Sequence, residues 1–459
     1  MTPSINANQI NTWFRNNGSF NRNPETGNSG FEWPKGSHKY ARYASGIWVG
    51  ARVFNDSLNR YDTLVAIVEY DYEFLPGYTD NNGTPQGKDD PLYRVYKIQK
   101  NVNNIDRLQW PNVLLGNSDQ GAPVYYDEQT HSWKALDFGS QTMFYAYTDS
   151  YPESHGNNAG STRPLKADVK QINFSIRAGG PLGNIAYSEF IVINRSNKIW
   201  ENAFIVWWTD DDLGSAVDDA MGCDTNFQLG FVYNFLNEDP EYGPAPPAVG
   251  TVLLYGLETY TGNPNDTSIY CEGVKKIIKT GYRQNGIYAI NYYADVFNIP
   301  RNYRETYRAI SGLMPQTGQP IINPVTNQVT RFYFSGDPVT NQGWISTGGG
   351  GGETGFLISN GPQNLNPGDT QRIVVAQVIA RGTSNLNSIT ELRQASLLAK
   401  KYYSNCFKAA PNPPSPRLSY YAPGNGKIYL FWDDTPERTV IHNTLTTNPY
   451  RFQGITFTR

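Results

Sequence analysis

Short apolar runs rich in aromatic and β-branched residues recur along the whole chain, each closed by Gly, Pro, Asn or Asp. This punctuation limits the fold more than any other feature of the sequence. Aromatic and β-branched side chains fit a pleated surface, and runs this short are strands rather than helices. Gly46–Val53 and Thr63–Tyr70 lie close enough to form a hairpin. Leu92–Ile98 alternates in period two, as a half-buried strand does. Further strands are expected at Gln141–Tyr147, Asp168–Arg177, Ile185–Asn194, Ala203–Trp208, Gly250–Tyr255, Thr330–Phe334, Gly355–Ile358 and Arg372–Arg381. The 43 Gly and 30 Pro supply the turns between them. The expectation is a mainly β chain, a large antiparallel β-sandwich-like domain with one or two helices.

One helix stands out against this background. Ser388–Glu391 reads as a capping box, and Ile389, Leu392, Ala395, Ala399, Tyr402 and Tyr403 follow with helical spacing. Lys400 and Lys401 sit near its C-terminal end, where positive charge complements the helix dipole. A weaker helix is expected over Asn302–Leu313. The clearest boundary is the proline-rich linker 409–417, which contains Ala410–Pro416 and separates a large β-rich domain, 1–408, from the segment 418–459. The strand Lys427–Asp434, ending at Trp432, opens that second piece. Only about 49 residues follow Ala410, too few for an immunoglobulin-type sandwich, so this domain is expected to be truncated at Arg459. Gly348–Gly352 lacks the Gly-Lys-Ser/Thr ending of a phosphate-binding loop and is read as a flexible connection.

Charge and cysteine content exclude several classes. The net charge is −3 and there is no basic block, so a nucleic-acid partner is not expected. No apolar run is long enough to span a membrane. The N-terminal residues carry no signal-peptide pattern, so the leader of an exported protein would have to lie outside this chain. Three cysteines, Cys223, Cys271 and Cys406, form no disulfide framework and no zinc pattern. They are read either as three buried thiols or as one Cys223–Cys271 bridge plus a free thiol.

Chemistry-bearing residues are few. The stretch 210–224 holds six carboxylates in fifteen residues: Asp210, Asp211, Asp212, Asp218, Asp219 and Asp224. Such a density suits a structural Ca²⁺ ion, which takes six to eight oxygen ligands in flexible geometry. The spacing is not that of an EF-hand, and a solvated loop of turn-capping aspartates is the alternative. Glu32 and Glu189 are the imaginable pair for acid–base hydrolysis of a polysaccharide. No Gly-x-Ser-x-Gly elbow or HExxH motif is present, and His38, His131, His155 and His442 read as loop or surface residues. Trp13, Trp33, Trp110, Trp133 and Trp344 lie in turn-rich stretches, where exposed rings stack on sugars or, alternatively, pack internally. Trp48, Trp207 and Trp208 lie in apolar strands and are assigned to the core.

Several short motifs occur in collinear order: Gly30–Ser37, Gly46–Gly50, Gly121–Val124, Trp208–Gly214, Asp218–Asp224, Ser335–Thr340, Ser359–Pro362 and Asn366–Thr370. Together they resemble the uncharacterised N-terminal β-rich region of secreted multidomain proteins of the Bacteroidetes, Chlorobi and Ignavibacteria group. The resemblance covers most of residues 5–405. It implies fibronectin type III domains following the linker, with Trp432 in the place of the core tryptophan. It also implies export by a type IX secretion-type route and a secreted or cell-surface location. The function it suggests is a non-catalytic structural or adhesive module. Alternatives are a carbohydrate-binding module or a polysaccharide-active hydrolase, with a polysaccharide or another surface protein as partner.

Overall fold

The computed structural model describes residues 3–111, 121–293, 298–346, 354–408 and 417–438. Twelve long strands carry the architecture. They are β1 (Ala44–Asn55), β2 (Arg60–Ala66), β3 (Gln141–Thr148), β4 (Ala167–Ser175), β5 (Ile185–Asn194) and β6 (Trp200–Asp211), then β7 (Asp219–Asp224), β8 (Leu229–Asn234), β9 (Ala248–Tyr255), β10 (Ala289–Tyr293), β11 (Thr354–Leu365) and β12 (Thr370–Ala380). Every pairing between them is antiparallel. A six-stranded sheet runs β10-β11-β6-β1, with Ser19–Phe20 and β2 also paired to β1. A nine-stranded sheet begins at Tyr96–Gln99 and runs β3-β4-β5-β12-β9-β8-β7, with Leu75–Pro76 also paired to β3.

The two sheets pack face to face, and period-two alternation decides which side chains meet there. From β6, Ile205 and Trp207 point between the sheets, while Phe204, Val206 and Trp208 join a separate cluster on the other face. From β12, Ile373, Val375 and Ile379 point inward, and Val374, Ala376 and Val378 outward. Phe20, Phe190 and Trp207 bring rings from both sheets together, with Phe20 and Trp207 each 6.2 Å from Phe190. Each outer face is then roofed by a helix. Helix α1 (Tyr303–Ile310) covers the six-stranded sheet, and α2 (Asn385–Ser404) covers the nine-stranded sheet. Central strands are therefore buried on both faces. That is why Ala203–Trp208 and Arg372–Arg381 read as continuous apolar runs although the sheets are antiparallel.

A polar column crosses the inter-sheet core. Asn21 Nδ2 donates to Ser45 Oγ and Gln377 Oε1, each at 2.8 Å. Ser45 donates to Thr209, and Thr209 to Asp211, at 2.9 Å each. Arg42 pairs with Asp211 at 3.0 Å and donates to Thr251 at 2.8 Å. Ser45, Thr209, Thr251 and Gln377 come from both sheets, so the column ties the layers in register.

Several local expectations are corrected. The α2 cap lies one turn earlier than the capping box suggests: Ser384 accepts the Asn387 N–H, while Ser388 is inside the helix and donates to the Pro246 carbonyl. Leu92–Tyr93 belong to a 3₁₀ turn capped by Asp90, and the strand starts only at Tyr96. β2 ends at Ala66 rather than Tyr70. Within Thr330–Phe334, only Thr330 belongs to a strand, Gln328–Thr330. The disulfide joins Cys271 to Cys406, not Cys223 to Cys271. Cys223 points into the inter-sheet core as a free thiol, whereas Cys271 and Cys406 meet on the helix-covered face. The linker residues 409–416 and Gly348–Gly352 lie outside the described residues. Beyond the linker, Leu418–Tyr421 and Tyr429–Trp432 form an antiparallel hairpin.

Candidate functional site

The tryptophans separate sharply by environment. Trp33 is buried and donates to Asn184 Oδ1 at 2.9 Å, and Trp110 is buried and donates to the Pro123 carbonyl. Trp344 is half-buried against Tyr333 and Phe334, with ring centroids at 5.2 and 5.3 Å. Trp13 is half-buried as well. Only Trp133 of this set is an open surface ring, 58% exposed. It stands directly across from Tyr126 on the hairpin Val124–Asp127/Ser132–Ala135, edge-on at 5.3 Å. The tryptophans named for ligand binding therefore do not share one exposed face. Trp48 and Trp208 are fully buried and stacked, and Trp207 is buried too, as their apolar strands foretold.

Beside that hairpin lies a cavity of about 270 Å³. Phe138, Phe144 and Ile172 give it an apolar wall, while Lys170, Glu189, Glu272 and Arg372 bring charge to it. Arg372 forms an ion pair with Glu189 and stacks over the Tyr270 ring at 4.6 Å. Burial holds the Arg372 guanidinium down, to about 10. The other half of the expected carboxylate pair is elsewhere. Glu32 accepts the backbone N–H groups of Gly36 and His38 at 2.9 Å and the Asn11 amide at 3.0 Å. Glu189 lines this cavity and Glu32 does not.

Members of the acidic stretch are held by different partners. Asp210 accepts the Tyr70 hydroxyl at 2.8 Å. Asp211 faces Arg42 in the core, where burial pushes its carboxyl up to about 6 against the pull of that arginine. Asp212 accepts from Ser29. Asp224 pairs with Arg393 of α2 at 2.9 Å. Asp218 and Asp219 stay together, with Asp211 and Asp212 near enough to repel the Asp219 carboxylate, and a residue outside the stretch, Asp239, joins the pair around the Asn234 amide. β7 and β8 place Asp219 directly opposite Asn234, a pairing with no sequence signature. Gly214 also has a structural reason. Its φ is +73°, and a Cβ there would come within 2.3 Å of Asp239 Oδ1.

A second charged group is missed by sequence reasoning. The His155 side chain is buried, not a surface group. Its Nε2 lies 3.5 Å from Asp149 and its Nδ1 3.8 Å from Glu73, both fully buried. Burial works against the imidazolium, but the hydrogen bond and charge of Asp149 and the charge of Glu73 outweigh it and raise the pKa. Burial likewise pushes Glu73 up to about 7. His38 is exposed, and His442 lies outside the described residues.

Among the described residues no helix is long and apolar enough to cross a membrane. Compared with known proteins, the chain matches no family model and no curated relative.

Proposed function

We propose that this chain is a non-catalytic structural or adhesive module of a secreted or cell-surface bacterial protein, exported with further fibronectin-like domains. The Cys271–Cys406 disulfide carries the reading, because such bonds persist in oxidising compartments outside the cytoplasm. The carboxylates suggested for catalysis support it further, since each is held by internal partners. The hairpin after the linker also supports a second domain. All eight of its strand residues, Trp432 among them, are exposed, as surface that further strands of such a domain would cover.

A specific observation favours a second reading, a carbohydrate-binding module. The exposed Trp133–Tyr126 pair is a ready stacking platform for a sugar ring. Incubation with soluble and insoluble polysaccharides, following protein depletion and reducing ends, separates the readings. Release of reducing ends overturns the non-catalytic proposal. Depletion that disappears in Trp133→Ala establishes carbohydrate binding. Trp133→Ala is expected to change stability by no more than about 0.5 kcal/mol, because the ring is exposed.

A further inference from the structure

A cavity of about 490 Å³ lies between the C-terminal end of α2 and the hairpin Thr267–Glu272/Lys275–Thr280. Three elements build it. On α2, Lys400, Tyr403 and Ser404 stand three and four residues apart and so share one helix face. On the hairpin, Lys276 is paired directly across from Cys271, and period-two alternation puts Ile269 on that same face. The Cys271–Cys406 bond pins this face against the end of α2. The floor comes from β9, where an irregularity between Leu253 and Tyr255 lets both Leu254 and Tyr255 join the outer cluster.

Charge in this cavity is of one sign. Two lysines line it, and among the described residues no Asp or Glu does. Among those residues neither Lys276 nor Lys400 has a hydrogen bond or an ion pair. Lys276 is exposed, whereas Lys400 is half-buried. Burial lowers the pKa of the Lys400 ammonium, against the pull of Asp224. That carboxylate is already engaged by Arg393 at 2.9 Å. A desolvated cation without a partner is costly, and an anion in the cavity relieves the cost. The amides on the remaining side set a second requirement. Gln284 Nε2 donates to the Leu254 carbonyl at 3.3 Å, and Asn285 Nδ2 to Thr259 Oγ1 at 2.8 Å. Their oxygens, Gln284 Oε1 and Asn285 Oδ1, have no donor among the described residues. A ligand that satisfies the site brings an anionic group for the lysines and hydroxyl donors for the amide oxygens.

We propose that this cavity binds an acidic sugar, with its carboxylate or sulfate group between Lys276 and Lys400 and its hydroxyls donating to Gln284 and Asn285. Leu254 and Ile269 supply apolar surface for the C–H faces of the ring. The volume falls within the roughly 300–1,000 Å³ of small-molecule sites, so the ligand is a short saccharide or a chain end. The site shares its ligand class with the carbohydrate-binding reading but uses none of the residues of the Trp133–Tyr126 pair.

The test titrates the full chain by calorimetry with a galacturonic acid disaccharide, a sulfated disaccharide, a neutral disaccharide and sodium sulfate alone. Saturable binding of at least one acidic disaccharide is expected. It should weaken about ten-fold in Lys400→Met and in Lys276→Gln, as the loss of one charge-assisted bond implies. Lys400→Met keeps the side-chain length and removes the charge, so its melting midpoint should not fall. Lys276→Gln, at an exposed position, tests the site without touching the helix. Whether the uronate or the sulfated sugar binds identifies the anionic group. Failure of both overturns the proposal, and so does full affinity in either lysine variant. A neutral disaccharide or free sulfate that binds as tightly as the acidic sugars also overturns it, because the site then reads only hydroxyls or only charge. Binding lost in Trp133→Ala but kept in both lysine variants places the sugar on the aromatic pair, which upholds the carbohydrate-binding reading and overturns this one.

Discussion

At the scale of single residues, the chain places ionisable groups in its interior and compensates most of them locally. His155 between Asp149 and Glu73 is the plainest case. His155→Ala leaves the buried Asp149 carboxylate without a cation beside it and is expected to cost about 3–5 kcal/mol at pH 5, where Glu73 is mostly protonated, measured by denaturant unfolding. The pH dependence has a definite sign. Glu73 has a folded pKa of about 7 against an ordinary 4.5. Its contribution is complete below pH 4.5 and is lost as pH rises to 7. His155 is raised above 6.5, so its contribution is complete below 6.5 and is lost as pH rises through its raised folded pKa. Glu73 is common to both proteins, so the His155 titration is what should narrow the stability gap between the native protein and His155→Ala as pH rises from 5 to 8. A constant gap would contradict the proton linkage. Neither Glu73 nor His155 was legible as a pair, since 82 positions separate them. Their meeting depends on the Tyr151–Ser161 segment packing back over the end of β2.

At the scale of elements, the helices and long strands were readable because their periodicity is carried locally. Ile389, Leu392, Ala395, Ala399, Tyr402 and Tyr403 announce the buried face of α2, and all six are buried. The cap was misplaced because both Ser384 and Ser388 precede an apolar stripe. Only the Pro246 carbonyl, which takes the Ser388 hydroxyl, decides between them. The disulfide acts on this same element. It fastens the Thr267–Glu272 strand to the residues just past α2, closing a sequence separation of 135. Cys406→Ser is expected to lower stability by about 2–5 kcal/mol, read as a lower melting midpoint under non-reducing conditions. Added reductant should bring the native protein down to the variant and leave the variant unchanged.

At the scale of the whole molecule, two sheets and two roofing helices divide the apolar residues into one inter-sheet core and two outer cores. The polar column through the central core fixes how the sheets align. Arg42→Met leaves Asp211 buried without its partner and is expected to cost about 3–5 kcal/mol. Arg42→Met combined with Asp211→Leu should recover much of that loss, since an apolar pair of similar volume carries no desolvated charge. A double mutant no more stable than Arg42→Met would show that the column holds the sheets through more than charge compensation.

The sequence by itself determined the β-rich class, the hairpin of β1 and β2, the main helix and the burial of Trp48, Trp207 and Trp208. All of these follow from alternation and turn chemistry within a short window. Tertiary structure alone decided which strands became neighbours, which cysteines bonded, and which aspartates share one amide. Those outcomes depend on contacts between residues distant along the chain. Asp239 joins Asp218 and Asp219 only because β8 folds back on β7 and the following turn closes over Gly214. Local pattern records what each segment buries; it carries no record of what the segment is buried against.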